Sequence, residues 1–141
     1  MINLSFIKEN KVQLVLVTVL VMANGIVGHF FSPWGLNLTP FLIAVTSFLI
    51  CFFSSNIPIL WKSVLIYFFI GLNVWLIKLY SGGRHDYVGQ AWILFFELIG
   101  LFFAFLFLTI AIFGKQKEPM KIRVLAIVLF LVLIGFHYYL F

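Results

Sequence analysis

Long apolar runs separated by short polar stretches organise this chain. The runs are rich in Phe, Leu, Ile and Val, and the breaks contain Ser, Pro, Asn, Gly and charged residues. The runs do not alternate between apolar and polar residues as a half-buried strand would, and helices of roughly 20 residues match the thickness of a bilayer core. The pattern predicts five helical segments, about 12–31, 38–53, 58–80, 90–113 and 124–141.

Composition indicates that lipid surrounds these segments. Hydrophobic residues make up 65% of the 141 residues and charged residues 9%, whereas soluble domains contain about 25% charged residues. A soluble globular or disordered protein is therefore excluded. Because unpaired backbone groups are costly in hydrocarbon, we predict an all-α class: one polytopic transmembrane helical bundle covering residues 1–141.

The second segment is the shortest, and its topology has two alternatives. Its apolar part, Phe41–Phe53, has only 13 residues, so it either crosses the membrane or is re-entrant. Its predicted start is Thr39-Pro40, an N-cap followed by proline at the first helical position. A break over Ser32–Gly35 separates it from the first segment.

The basic residues favour five full crossings. With five spans and a cytoplasmic N-terminus, only Lys78 and Arg84 of the nine cations lie outside. Cytoplasmic loops carry an excess of Lys and Arg, and a re-entrant second segment would export the basic loop 115–123. We therefore predict the N-terminus inside and the C-terminus outside. The inner cations are Lys8, Lys11, Lys62, Lys115, Lys117, Lys121 and Arg123.

The net charge of +5 is better explained by membrane lipid than by nucleic acid, because the cations flank apolar runs. We expect no nucleic-acid partner and a location in a plasma membrane or a bacterial inner membrane. Contacts with anionic headgroups are expected from Lys115, Lys117, Lys121 and Arg123.

Polar residues inside the predicted spans share one depth. Asn24, Thr46, Asn73 and Glu97 each lie seven residues from the outer end of their segment, or about 10 Å at the rise of a helix. Glu97 is the one acidic residue within a span, and a carboxylate in hydrocarbon must pair, reach water or bind a proton. Its helix face also carries Gly100 and Ala104, which predicts that Glu97 faces the bundle interior. We predict an outward-facing pocket lined by Asn24, Asn73 and Glu97, with helix-connecting hydrogen bonds as the alternative role of the asparagines.

The loop 81–90 contains the densest polar chemistry. Arg84, His85 and Asp86 place a cation, a titratable base and a carboxylate in consecutive positions. The loop lacks the spacing of a phosphate-binding glycine-rich loop and matches no other motif with an assigned function. We expect it to close the pocket, with Arg84 as the candidate partner of Glu97. A solvated interhelical turn is the alternative.

Histidine and carboxylate side chains on the outer side suit a transition metal. The weak candidates are His29, His85, Asp86 and His137. The sequence has no His-x-x-x-His or His-Glu-x-x-His spacing, so no metal, haem or other cofactor is assigned. His137, beside two tyrosines, has the pattern of an interfacial residue.

Three functions remain open from the sequence. The first is a binding or transport-type subunit in which Glu97 responds to protons or cations. The second is a membrane-embedded enzyme, of a metal, haem or quinone- or lipid-linked kind, that acts on a lipid-borne or quinone-like substrate at the outer leaflet, with His85 and Asp86 or Glu97 as acid and base. The third is a structural, accessory or immunity-type subunit that recognises another membrane protein through its helix faces. Since no serine or cysteine nucleophile with a base is recognisable, a non-enzyme is favoured. Five helices enclose little space, so we expect a homo-oligomer or a larger membrane complex.

Overall fold

A computed structural model of the protein describes residues 8–54, 56–80, 87–114 and 118–140. These ranges contain five long helices and no strand. Each helix is long and apolar enough to cross a membrane, which confirms the all-helical class and the five segments of spanning length. The helices are α1 (Lys11–Phe30), α2 (Ser32–Phe48, continued by a π-helix over Leu49–Phe53), α3 (Ile59–Tyr80), α4 (Tyr87–Phe113) and α5 (Met120–Leu140).

Helix α2 begins earlier than the sequence suggested. Only Phe31 separates it from α1, and Pro33 occupies the first turn, where a missing N–H costs no hydrogen bond. Pro40 lies inside the helix and is buried, so the predicted helix start at Thr39-Pro40 is wrong. The additional turns give a continuous stretch of 22 residues, Ser32–Phe53, which is long enough to cross the membrane.

Helix α3 is the centre of the bundle. It contacts all four other helices, whereas within the described ranges α1 does not contact α4 or α5, and α2 does not contact α5. Half of the apolar stretch of α3 is buried, against 17% for α5. Buried isoleucines of α3, among them Ile66 and Ile70, form the middle of the core.

Glycines allow two close helix contacts. A Cβ on Gly35 of α2 would lie 2.5 Å from the Cα of Gly28 on α1, and a Cβ on Gly100 of α4 would lie 2.7 Å from Cδ1 of Ile43 on α2. Small residues bring helices together in lipid, where hydrophobicity alone does not drive association. Gly100 and Ala104 are buried, as the sequence predicts for this face of α4.

We expect Gly35→Ala to lower the free energy of unfolding by about 1–3 kcal/mol, because the added methyl forces two backbones apart. Gly71→Ala is the matched control, since nothing lies within 4 Å of a Cβ at that position. The better helix propensity of alanine should leave it neutral or stabilise it by up to about 1 kcal/mol. Reversible unfolding in mixed micelles, followed by circular dichroism, measures both. Equal destabilisation would contradict the close contact.

Candidate functional site

Glu97 of α4 and His137 of α5 form a buried pair. Glu97 Oε1 lies 3.3 Å from His137 Nε2, and the side chains are 2% and 4% exposed, respectively. Tyr138 of α5 lies near the carboxylate, and Lys78 of α3 lies within electrostatic range of both members of the pair. The buried position of Glu97 agrees with the prediction. The interfacial position expected for His137 remains a prediction; the residue is in the last turn of α5, and its imidazole is buried beside the carboxylate.

Three helices position this pair. Glu97 lies one turn from Gly100 on the buried face of α4, while His137 is in the last turn of α5. The ring of His137 meets Tyr67 of α3 edge-on, with centroids 6.1 Å apart. Helix α2 also packs on α4 and carries no charged residue. A carboxylate beside an imidazole can hold one proton on either group, so this arrangement can take up and release a proton inside the membrane.

A second buried cluster joins α1, α2 and α3. Asn24 Nδ2 donates to Asn73 Oδ1 at 2.9 Å and lies 3.5 Å from Thr39 Oγ1. All three side chains are at most 2% exposed. Asn24 and Asn73, which the sequence placed at the same depth in their segments, are thus in contact. Thr39 joins them instead of Thr46, whose hydroxyl donates to a carbonyl of its own helix.

The two clusters are separate within the part of the chain that the structure describes. No hydrogen bond or ion pair there joins Asn24 or Asn73 to Glu97. The loop residues Arg84, His85 and Asp86 lie outside the described residues, so their predicted role as a lid remains a prediction.

His29 lies apart from Glu97 and His137, in the last turn of α1. It is exposed and lines a small groove of about 110 Å³ between α1 and α3. In the described ranges, no group of three or more His, Cys, Asp or Glu side chains is placed to hold a metal ion. His85 and Asp86 fall outside those ranges, so the four weak metal candidates are not brought together by any described contact.

Lys62 is a buried charge that the sequence analysis counted only as an inner cation. Its side chain is 2% exposed, and its Nζ donates to the carbonyl of Cys51 at 2.8 Å. Cys51 belongs to the π-helix that ends α2, where the last carbonyls have no intrahelical donor and a cation is favoured by the helix dipole. Lys62 therefore caps α2. The sequence could have indicated a buried lysine, because Lys62 lies inside the predicted third segment, 58–80.

No known protein family, curated protein or solved structure that was compared with this chain is similar to it. The buried polar groups are therefore the basis for assigning a function.

We expect Asn24→Leu to lower the free energy of unfolding by about 1–2 kcal/mol, because the Asn73 amide then loses its partner in an apolar environment. The double variant Asn24→Leu/Asn73→Leu should lose less than the sum of the two single variants, since no unpaired amide remains. Asn37→Leu, at an exposed position, is the control. A double-mutant cycle in mixed micelles measures the coupling, and strictly additive losses would contradict the contact.

Proposed function

We propose that this protein is a small membrane subunit of binding or transport type, in which the Glu97–His137 pair exchanges a proton or another cation with the outer side. The observation that carries this proposal is the buried 3.3 Å approach of Glu97 Oε1 to His137 Nε2. An amide or hydroxyl would connect two helices without the desolvation cost of a carboxylate. A carboxylate and an imidazole at this position therefore favour charge exchange over simple helix association.

The packing of α3 supports a carrier or a binding subunit over an open channel. Ile66 and Ile70 are buried in the core and lie along α3 between Lys62 on the inner side and Asn73. A continuous water path would need polar groups where these isoleucines pack. An ion that reaches Glu97 from outside would thus be held there until the packing changes, as alternating access requires.

We place the protein in a plasma membrane or a bacterial inner membrane, as a homo-oligomer or as a subunit of a larger complex. Five helices around a packed core enclose little space for a path, so neighbouring chains would supply the remaining walls. Lys121 is exposed at the start of α5, where an anionic headgroup would meet it. Arg123 is half-buried, and its Nε donates to the Glu118 carbonyl at 2.8 Å. Lys115 and Lys117 lie outside the described residues.

Infrared difference spectroscopy of the full chain in lipid nanodiscs tests the proton-binding group. As the pH is lowered, we expect the native protein to gain a carbonyl band from a protonated acid that Glu97→Gln lacks, because Glu97 is the only acid within a span. Glu118→Gln, at the inner loop, should keep that band.

Two histidine variants extend this experiment. The pH at which the Glu97 band appears should change in His137→Phe, whose native imidazole neighbours the carboxylate, and should stay unchanged in His29→Phe. A Glu97→Gln protein with the same difference spectrum as the native protein over the whole pH range would contradict the proposal.

Single-cysteine labelling tests the orientation. In a Cys51→Ser background, we expect a membrane-impermeant maleimide to label Tyr139→Cys on intact cells and Lys121→Cys only after permeabilisation, since the basic loop lies inside. Both positions are exposed, while Cys51 is buried and is itself the only cysteine. The opposite labelling pattern would overturn the outward-facing site.

A further inference from the structure

The contact between Asn24 and Asn73 leaves two buried polar atoms unused. The bond from Asn24 Nδ2 to Asn73 Oδ1 uses one nitrogen and one oxygen of the two amides. Asn24 Oδ1 and Asn73 Nδ2 have no hydrogen-bond partner among the described residues. Buried polar groups in native proteins are almost always satisfied, commonly by an ordered water where no side chain reaches them.

The unpaired acceptor Asn24 Oδ1 and the unpaired donor Asn73 Nδ2 together favour a neutral ligand. A metal cation would meet the N–H groups of Asn73, and an anion would meet the carbonyl oxygen of Asn24. If the O and N atoms of one asparagine amide were interchanged, two donors or two acceptors would face each other at the 2.9 Å contact. If both amides were interchanged, one donor and one acceptor would still be left without a partner. The ligand must therefore accept one hydrogen bond and donate another.

The surrounding packing restricts the size of this ligand. Next to Asn24 in the chain, a Cβ on Gly25 would lie 3.1 Å from Cδ1 of Leu76, and one turn further along α1 a Cβ on Gly28 would lie 3.0 Å from Cδ1 of Ile77. The contact between the backbones of Gly28 and Gly35 leaves no room for a side chain between α1 and α2 at this level of the bundle. Helices packed this closely beside the two amides favour a ligand as small as water.

We infer that Asn24 and Asn73, enclosed by Thr39, form a binding site for one water molecule that donates to Asn24 Oδ1 and accepts from Asn73 Nδ2. Each amide then uses its oxygen and its nitrogen, which completes a ring of hydrogen bonds between α1 and α3. Thr39 Oγ1 brings α2 to the same cluster, because it lies 3.5 Å from Asn24 Nδ2 and donates to the Gly35 carbonyl at 2.9 Å. This site is separate from the Glu97–His137 pair and does not depend on its function.

Solid-state NMR of the full-length, ¹⁵N-labelled chain in lipid bilayers tests the site, with magnetisation transferred from water. Asn73 Nδ2 should receive water magnetisation several-fold faster than the backbone nitrogen of Ile70, which lies one turn inward in the apolar core. The exposed side chain of Asn56, which lies between α2 and α3 and outside both helices, is the reference for full water contact. A build-up for Asn73 no faster than that for Ile70 would overturn the inference without any variant.

Two variants locate the water. Asn24→Leu removes the acceptor, so a folded variant should show transfer to Asn73 only at the level of Ile70. Thr39→Val removes a hydroxyl but leaves Asn24 Oδ1 and Asn73 Nδ2 in place, so the rapid transfer of water magnetisation to Asn73 should persist. Rapid transfer in Asn24→Leu, or its loss in Thr39→Val, would show that the water is not held between the two amides. If Asn24→Leu does not fold, the native chain alone decides.

Discussion

Hydrocarbon supplies no hydrogen bonds, and the organisation of this bundle depends on satisfying buried polar groups from within. Helix α3 meets this constraint by reaching all of its neighbours. Lys62 donates to a carbonyl at the end of α2, Ser63 donates to the Ala126 carbonyl of α5 at 3.0 Å, and Asn73 accepts from Asn24 of α1. Because an unpaired polar group costs far more in lipid than in water, each contact stabilises the packing of one neighbouring helix against α3.

The buried polar groups differ in what their contacts can do. Lys62 balances the end of a helix dipole, and Ser63 and the asparagines connect helices through neutral groups, so all three sets have a structural role. Glu97 and His137 are different, because both can change protonation and both are buried, with Oε1 and Nε2 3.3 Å apart. The pair that we propose to exchange charge and the scaffold that holds it are therefore made from separate residues, with α3 adjoining both.

Much of the architecture was predictable because lipid restricts the choices of the chain. The segment lengths predicted five helices, and the small residues beside Glu97 predicted that it faces the interior. The start of α2 was not predictable in the same way: Ser32-Pro33 and Thr39-Pro40 both have the pattern of a helix start, and only packing against α1 selects the first. The chemistry of the outer loop, with Arg84 to Asp86, remains a prediction from the sequence.

By itself, the sequence predicted lipid as the solvent and determined the helical class, the number of helices of spanning length and the residues too polar to face lipid, since these follow from composition and segment length. The tertiary structure alone decided the partners. Glu97 lies beside His137 and apart from the asparagines, and Lys62 turns to a carbonyl of the π-helix in place of the aqueous side. The physical reason is that a residue's depth follows from its position along one helix, whereas its partner depends on how several helices rotate and tilt when their small residues meet.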